Sequence, residues 1–98
     1  MIEVTSFHEL AELELNEAVE YYESQVKGLG IAFLIEVERS TNLIQQNPEA
    51  SPRILKVIRR KILRRFPYSI LYSIVDHSIR ILAIANQKRR PFYWRGRK

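Results

Sequence analysis

Apolar residues in the first half of the chain recur at three- and four-residue spacings, the period of an amphipathic helix. The spacing between Ser6 and Glu9 is that of a reciprocal N-terminal capping box, so a first helix is predicted to begin there. It is predicted to end near Gly28, which can adopt the left-handed C-terminal position, with Gly30 as a second break. Glutamates fill most of the other positions, and the apolar stripe consists of Leu10, Leu13, Leu15, Ala18, Tyr21 and Tyr22.

A second helical stripe follows after a short turn, so the two helices are expected to fold back on each other as a hairpin. It is predicted to end at Asn47, because Pro48 disfavours helical geometry in the residue before it. Residues 2–5 are predicted as a strand before the hairpin, and residues 47–52 as a loop after it. The second stripe consists of Phe33, Leu34, Val37, Thr41 and Ile44.

Beyond the loop, β-branched and aromatic residues dominate. Strands are predicted over residues 57–66, 69–75 and 79–86, with turns at 66–68 and 76–78. Short turns make these strands an antiparallel meander, to which the N-terminal strand could add a fourth. The sequence therefore predicts one α+β domain, residues 1–98, in the order β-α-α-β-β-β, with the helical hairpin on a small twisted antiparallel sheet.

Alternation places apolar side chains on both faces of this sheet. Ile70, Tyr72 and Ile74 share one face and Leu71 and Val75 the other, and in the last strand Ile79, Ile81 and Ala83 are expected to lie opposite Leu82 and Ile84. The hairpin covers one face, so the other needs the C-terminal tail, a second subunit or a partner segment. A partner is favoured because the tail is short and basic, although Trp94 is expected to be structural.

Charge is distributed unevenly along the chain. The net charge of +5 divides into −8 for residues 1–49 and +13 for residues 50–98. An acidic partner for the basic half is one explanation, whether nucleic acid or an acidic protein segment. Neutralisation between the halves is the other. In the predicted fold, the acidic residues lie mainly on the helical hairpin and the basic residues on the sheet and its tail. This separation favours a positive surface that stays free for a partner.

Two basic segments are candidates for that surface. Residues 59–65 hold five positive charges, and residues 87–98 interleave six basic residues with three aromatics, a composition suited to phosphates and bases. The alternatives are a strand protected from aggregation by its charge and a tail that closes the core. The candidate target-binding or nucleic-acid-binding residues are Arg60, Arg64, Lys88, Arg89, Arg90 and Arg95.

Several classes of site are excluded by composition. The chain has no cysteine, which removes disulfides, thiol nucleophiles and thiolate zinc sites. His8 and His77 have no metal-ligand spacing, and Asp76, His77 and Ser78 are sequence neighbours that cannot converge as a triad. No metal or cofactor is predicted. The sequence has no apolar run long enough to span a membrane, so a cytoplasmic protein is expected.

Four segments, in order along nearly the whole chain, resemble the RelE/ParE toxin superfamily, and in particular its ParE-like plasmid stabilisation branch. They are Leu13-x-x-x-Glu17-Ala18-Val19-x-Tyr21-Tyr22, Gly28-Leu29-Gly30-x-x-Phe33-Leu34, Arg65-Phe66-Pro67-Tyr68-x-Ile70-x-Tyr72 and Lys88-Arg89-Arg90-Pro91-x-Tyr93-Trp94. The resemblance implies a toxin of a type II toxin–antitoxin pair that inhibits growth when free. It also implies a cognate acidic antitoxin that neutralises the toxin, with or without further oligomerisation.

The resemblance leaves two targets open. ParE-like members poison DNA gyrase, which is favoured here because no acid–base set is evident and enzymatic activity is not required. RelE-like members cleave messenger RNA on the ribosome without a metal, and in that reading Tyr93, Arg65 and Arg80 are the catalytic candidates. Many relatives have histidine where this chain has Asn86, so an imidazole role at that position is absent. An inactive or plain RNA-binding relative is the third reading.

Overall fold

The structure is a computed structural model that describes residues 3–98, with side chains from residue 6 onward. The elements are β1 (Glu3–Phe7), α1 (Glu9–Gln25), α2 (Leu29–Gln46), β2 (Arg53–Leu55), β3 (Ile58–Ile62), β4 (Tyr68–Val75) and β5 (Ser78–Asn86). The predicted α+β class is confirmed, with a helical hairpin against a small sheet. Ile2, the first residue of the predicted N-terminal strand, lies outside the described residues.

The sheet has five strands in the order β1-β5-β4-β3-β2. Strands β2 to β5 form the antiparallel meander, whereas β1 runs parallel to β5, so the sheet is mixed. Strand β2 lies at the edge, within a segment that the sequence did not resolve as a separate strand. The strand predicted over residues 57–66 is shorter, because β3 ends at Ile62 and Leu63 N–H closes a turn onto Tyr68 O at 3.0 Å.

Helix α1 begins later than predicted. Ser6 is not its N-cap but lies in β1, where its Oγ accepts a hydrogen bond from Arg80 Nη1 at 2.8 Å. His8 is the N-cap, and its Nδ1 accepts from Leu10 N–H at 3.1 Å. The reason is strand pairing: His8 N–H donates to Ile81 O at 2.8 Å, which keeps the preceding backbone on the sheet.

The buried face of α1 matches the predicted stripe in part. Ala18 is buried and Leu15 and Tyr22 pack against the core, as predicted. Leu10 and Leu13 are instead 41% and 52% exposed, and Ala11, which is outside the stripe, is fully buried. Alanines on the packed face let α1 lie close to both α2 and β5, its two main neighbours. Glu14 stands three residues after Ala11 and four before Ala18, so it projects from the same face.

The hairpin turn is held by one glutamate. Gly28 has a φ of 88°, a left-handed conformation that glycine adopts readily, but it is the N-cap of α2 and not the C-terminal residue of α1, which ends at Gln25 with Val26 as its C-cap. The Glu23 carboxylate accepts from Gly28 N–H at 2.9 Å and from Gly30 N–H at 3.0 Å. Gly30 lies inside α2, and a Cβ there would come within 2.5 Å of Val19 O, so its role is close helix approach.

The main core lies between the hairpin and the sheet. Four aromatic rings meet there, with centroid separations of 5.0 Å for Phe33 with Phe66 and 4.9 Å for Tyr22 with Phe66. Tyr68 completes the group at 5.0 Å from Phe33. Tyr72 is fully buried beneath the hairpin, and its hydroxyl donates to Pro48 O at 2.6 Å. That hydrogen bond ties the loop after α2 to the sheet.

A β-bulge at Leu82 changes which face the side chains of β5 occupy. Leu71 pairs with Ala83 and Tyr72 pairs with Ile81, so Leu82 has no partner on β4. Ile79, Ile81 and Ile84 therefore pack in the main core, and Ala83 and Ala85 lie on the opposite face with Leu71. The expectation that Ala83 shares a face with Ile79 and Ile81 was wrong, because simple alternation fails across the bulge.

The C-terminal tail, residues 87–98, covers part of that second face. Trp94 is only 4% exposed and packs in one cluster with Leu71, Ala83 and Ala85. The structural role expected of Trp94 is thus confirmed. The sequence favours a partner segment as the cover for this face. For the part under Trp94 that expectation was wrong, because the tail itself covers it.

Candidate functional site

The C-terminal tail is a series of tight turns. Tyr93 N–H donates to Arg90 O at 3.2 Å, and Arg95 N–H donates to Phe92 O at 2.9 Å. These turns bring the basic residues of the tail back over the sheet. The tail and the sheet together enclose a depression, which we call the tail groove.

The tail groove has a volume of about 240 Å³. Arg60 of β3 contributes one guanidinium from the sheet, and Arg89 and Arg90 contribute two from the tail. None of the described residues that line the groove is acidic. Three cations without a lining carboxylate create a positive potential that attracts anionic ligands. Other lining residues are Ser69, Leu71 and Phe92.

Phe92 sits on the rim of the tail groove in an unusual backbone conformation. Its φ is 60°, and a bulky residue in the left-handed region costs about 1–3 kcal/mol. Its ring is 43% exposed and lies 5.7 Å, centroid to centroid, from the ring of buried Trp94. The tail therefore presents an aromatic surface beside the three arginines.

A second depression, the helix groove, lies between α1 and the tail and has a volume of about 440 Å³. It has mixed charge, since Glu14 and Glu17 face Lys88 and Arg89 across it. Arg89 lines both grooves, and its guanidinium carbon lies 3.9 Å from the centroid of the Tyr93 ring. This cation–π contact fixes Arg89 at the boundary between the grooves.

One carboxylate connects α1 to the tail. Arg97 donates from Nη1 to Glu14 Oε1 at 2.9 Å and from Nη2 to Glu14 Oε2 at 3.0 Å, which is bidentate geometry. Tyr93 Oη donates to Glu14 Oε2 at 2.7 Å. The pair is largely buried, and it is the one ion pair among the side chains of residues 6–98.

Tyr93 is held in its protonated form. Burial raises the pKa of its hydroxyl well above the ordinary range, and the hydrogen bond to the Glu14 carboxylate raises this pKa further. Arg97 and Arg89 lower it only in part. The phenol is therefore neutral at physiological pH, which is unfavourable for a general base.

The three catalytic candidates of the ribonuclease reading lie apart. Arg80 pairs with Ser73 in the β4–β5 ladder. Ser73 lies five residues along β4 from Tyr68, so Arg80 is roughly 17 Å from the Tyr68 end of the strand. Arg65 precedes β4 at the Tyr68 end, exposed, with its guanidinium carbon 5.3 Å from the centroid of the Phe66 ring. Neither arginine lines a groove with Tyr93.

The six predicted binding residues divide into two groups. Arg60, Lys88, Arg89 and Arg90 line the two grooves, whereas Arg64 and Arg95 are exposed outside both linings. Arg64 lies in the turn after β3, where its N–H donates to Glu36 Oε2 at 2.7 Å. The structure thus brings four of the six predicted residues to the grooves and leaves Arg64 and Arg95 outside them.

Asn86, at the end of β5, stabilises the start of the tail. Its Oδ1 accepts from Lys88 N–H at 2.8 Å. Among residues 3–98, no group of three His, Asp or Glu side chains is arranged to hold a metal ion. The same part of the chain contains no helix with the length and hydropathy needed to cross a bilayer.

Comparison with known proteins identifies the family. A family model described as the ParE toxin of the type II toxin–antitoxin system, parDE, matches residues 6–91. The chain belongs to the ParE toxin family. A solved structure of the chromosomal ParDE toxin–antitoxin system from P. aeruginosa is 17% identical with a TM-score of 0.74, covering 86% of this chain and 95% of that chain. This likeness shows that the fold is shared, and no curated protein matches the chain.

The match places most of the site within the ParE family and part of it outside the matched range. Glu14, Arg60, Arg89 and Arg90 fall within residues 6–91. Tyr93 and Arg97 follow the last matched residue, as do Phe92 and Trp94. Family membership therefore accounts for the scaffold of this toxin. The contacts of its last seven residues lie beyond the matched range and are features of this chain's own structure.

Glu14 is the site residue that sequence reasoning missed. The sequence analysis places the glutamates of the first helix outside the apolar stripe and does not distinguish Glu14 from the others. The available signal was its spacing from two small apolar residues, Ala11 and Ala18, which places all three on one helix face. A lone glutamate on that face indicates a buried partner for its carboxylate.

Proposed function

We propose that this ParE-family toxin inhibits DNA gyrase, arrests growth when free in the cytoplasm, and contacts its target through the tail groove. The family match supports a toxin of the ParE type. The observation that carries the choice of surface is the convergence of Arg60, Arg89 and Arg90 on one groove without a lining carboxylate. Such a groove suits binding to an anionic surface and needs no chemical step.

The geometry is less favourable to messenger RNA cleavage. Tyr93 donates its hydroxyl to Glu14, and its raised pKa opposes formation of a phenolate. Arg80 lies far along the sheet from the end of β4 that Arg65 precedes, and neither arginine lines a groove with Tyr93. A ribonuclease with this constellation requires a rearrangement that brings three separated side chains together.

The same groove is the proposed docking surface for a cognate acidic antitoxin. Carboxylates of the antitoxin would pair with the three arginines, and an apolar side chain would cover the exposed ring of Phe92. Neutralisation then follows from competition, because antitoxin and target need the same cations. This proposal predicts that the complex weakens as salt is raised.

The decisive test is gyrase supercoiling in the presence of the purified toxin. The variant Arg60→Gln/Arg89→Gln/Arg90→Gln removes the three groove cations. The matched control Lys27→Gln/Arg39→Gln/Arg53→Gln removes three exposed cations that do not line either groove. We expect the groove variant to lose inhibition by about tenfold or more, equivalent to about 1.4 kcal/mol of binding, and the control to match wild type.

Cleavage of messenger RNA on translating ribosomes is the parallel measurement. Cleavage without gyrase inhibition would replace this proposal with the RelE-like activity. Growth arrest with neither effect would refute both targets. No growth arrest on expression, together with salt-sensitive RNA binding, would identify an inactive or RNA-binding relative.

A further inference from the structure

The outer edge of β5 loses its strand neighbour halfway along. Strand β1 ends at Phe7, which pairs with Ile81, and His8 N–H makes the last backbone contact to that residue. From Ala83 to Asn86, β5 pairs with β4 on one side only, and Leu82 lies in the bulge without a partner on β4. Peptide groups on such an open edge need other partners when they are covered by protein.

Two side chains supply those partners. Glu14 Oε1 accepts from Ile84 N–H at 3.0 Å, and Arg97 Nη1 donates to Leu82 O at 3.0 Å. The carboxylate and the guanidinium also bind each other, so together they occupy the edge where a further strand would lie. Glu14 thus joins three elements, namely α1, β5 and the tail.

The tail groove depends on this junction. One wall of the groove is the sheet, with Arg60, and the other is the tail, with Arg89 and Arg90. The tail is held down by Trp94 packing and by the contacts of Tyr93 and Arg97 with Glu14. If the tail leaves the sheet, the two walls separate and the three cations no longer converge.

We propose that Glu14 is a positioning residue for the C-terminal tail, and that its carboxylate holds the tail against β5 in the conformation that builds the tail groove. The hydrogen bonds of Glu14 go to Ile84, Tyr93 and Arg97, at the edge of the sheet and in the tail, and not to the aromatic rings of the main core. Its removal should therefore release the tail while the hairpin and sheet stay folded. The consequence for gyrase rests on the proposed function, whereas tail release does not.

Trp94 makes tail release directly measurable, because it is the only tryptophan of the chain and is buried only while the tail is docked. Glu14→Gln keeps the side-chain shape, removes the charge and places an amide donor against Arg97. Tyr93→Phe/Arg97→Gln breaks the same junction from the tail side. Glu20→Gln, on the exposed side of α1, removes the same charge elsewhere and is the control.

We expect Glu14→Gln and the tail-side double variant to shift Trp94 emission to the red and to raise its acrylamide quenching severalfold. Amide exchange at Ile84 should accelerate about tenfold or more, because release of the tail exposes the open edge of β5 to water. Far-UV circular dichroism should stay at the wild-type level in both variants. Glu20→Gln should match wild type in all three measurements.

Two results would overturn the proposal. In the first, Trp94 stays buried and Ile84 stays protected in both variants. In the second, Trp94 exposure and loss of circular dichroism occur together in both variants, which would make Glu14 a general structural residue. If Glu14→Gln does not fold, the tail-side variant decides alone.

The gyrase assay distinguishes the role of Glu14 in tail position from the proposed inhibition of gyrase. If wild type inhibits supercoiling, Glu14→Gln should lose inhibition about as strongly as the triple groove variant. Unchanged inhibition by a variant with an exposed Trp94 would refute the link between tail position and target binding. If wild type itself does not inhibit, the proposed function fails and the fluorescence still decides tail positioning.

Discussion

The two faces of the sheet are covered in different ways. The helix-facing core contains large side chains from both helices and from the sheet, with the rings of Tyr22, Phe33, Phe66 and Tyr68 at its centre. The tail-facing cluster is smaller: it buries Leu71, Ala83 and Ala85 under Trp94, with partly buried side chains of β2 and β3 beside them, and one ion pair supports it. The helix-facing core is held by many contacts between large side chains, so the loss of one polar group should change its stability little. The tail-facing cluster is held by fewer contacts and should open more easily.

Phe33→Ala should have the largest effect on stability, because it empties the centre of the helix-facing core. Phe33 is fully buried, and removal of such a ring costs about 3–5 kcal/mol. Chemical denaturation should show this loss in the free energy of unfolding. Ile31→Ala, at an exposed position of the same helix, should change it by less than about 0.5 kcal/mol. Equal losses in the two variants would contradict the packing described here.

Trp94→Ala should have an intermediate effect that stays local to the second face. We expect a loss of about 2 kcal/mol, below the usual range for a core tryptophan, because the tail can move away instead of leaving a cavity. Limited proteolysis should cut the tail faster while the helical signal persists in circular dichroism. A loss as large as that of Phe33→Ala, with unfolding of the helices, would show that the two faces are not separable.

Tyr93→Phe should have the smallest effect, about 1.5 kcal/mol, since only the hydrogen bond to Glu14 is removed. The effect should depend on pH in one direction. Because the pKa of Tyr93 is raised in the folded protein, the stabilisation is fully present below pH 10 or so and decreases as the unfolded state loses its phenolic proton. Urea titrations at rising alkaline pH should show wild type losing its advantage over the variant. A gap that widens above pH 10 would contradict the raised pKa.

Local sequence patterns predicted the elements of this fold better than their contacts. The hairpin, its glycine turn and the end of α2 at Asn47 follow from short-range rules that act within a few residues. The buried face of α1 was predicted correctly at Ala18 and wrongly at Leu10, because close packing on two neighbours favours Ala11 at that end of the helix. Similarly, the start of α1 depends on the pairing of β1 with β5, which is about 70 residues away in sequence.

The candidate site was predictable in composition and not in geometry. The basic tail residues Arg89 and Arg90 were identified from sequence, and the structure brings them to Arg60 across a groove. Glu14 was missed because its partners, Tyr93 and Arg97, lie some 80 residues further along the chain. No periodicity reports a contact over that separation.

The charge asymmetry of the chain also becomes clearer from the comparison of faces. Direct neutralisation between the acidic and basic halves is limited to Arg97 with Glu14 among the described side chains. Arg59 instead donates to the carbonyl oxygens of Glu49 and Ser51, at 2.9 and 2.7 Å, and so holds the loop after α2. Most of the basic side chains of residues 6–98 thus form no ion pair within the fold.

The open edges of the sheet have a consequence for how the protein behaves at high concentration. The outer strand β2 is three residues long, follows Pro52 and begins with exposed Arg53, so it offers a poor template for another chain. Beyond the end of β1, Glu14 accepts from Ile84 N–H and Arg97 donates to Leu82 O, so these two peptide groups of β5 are already bound. Strand β2 and this part of β5 are therefore poor sites for strand addition by another molecule, which limits the growth of a sheet rich in isoleucine into aggregates.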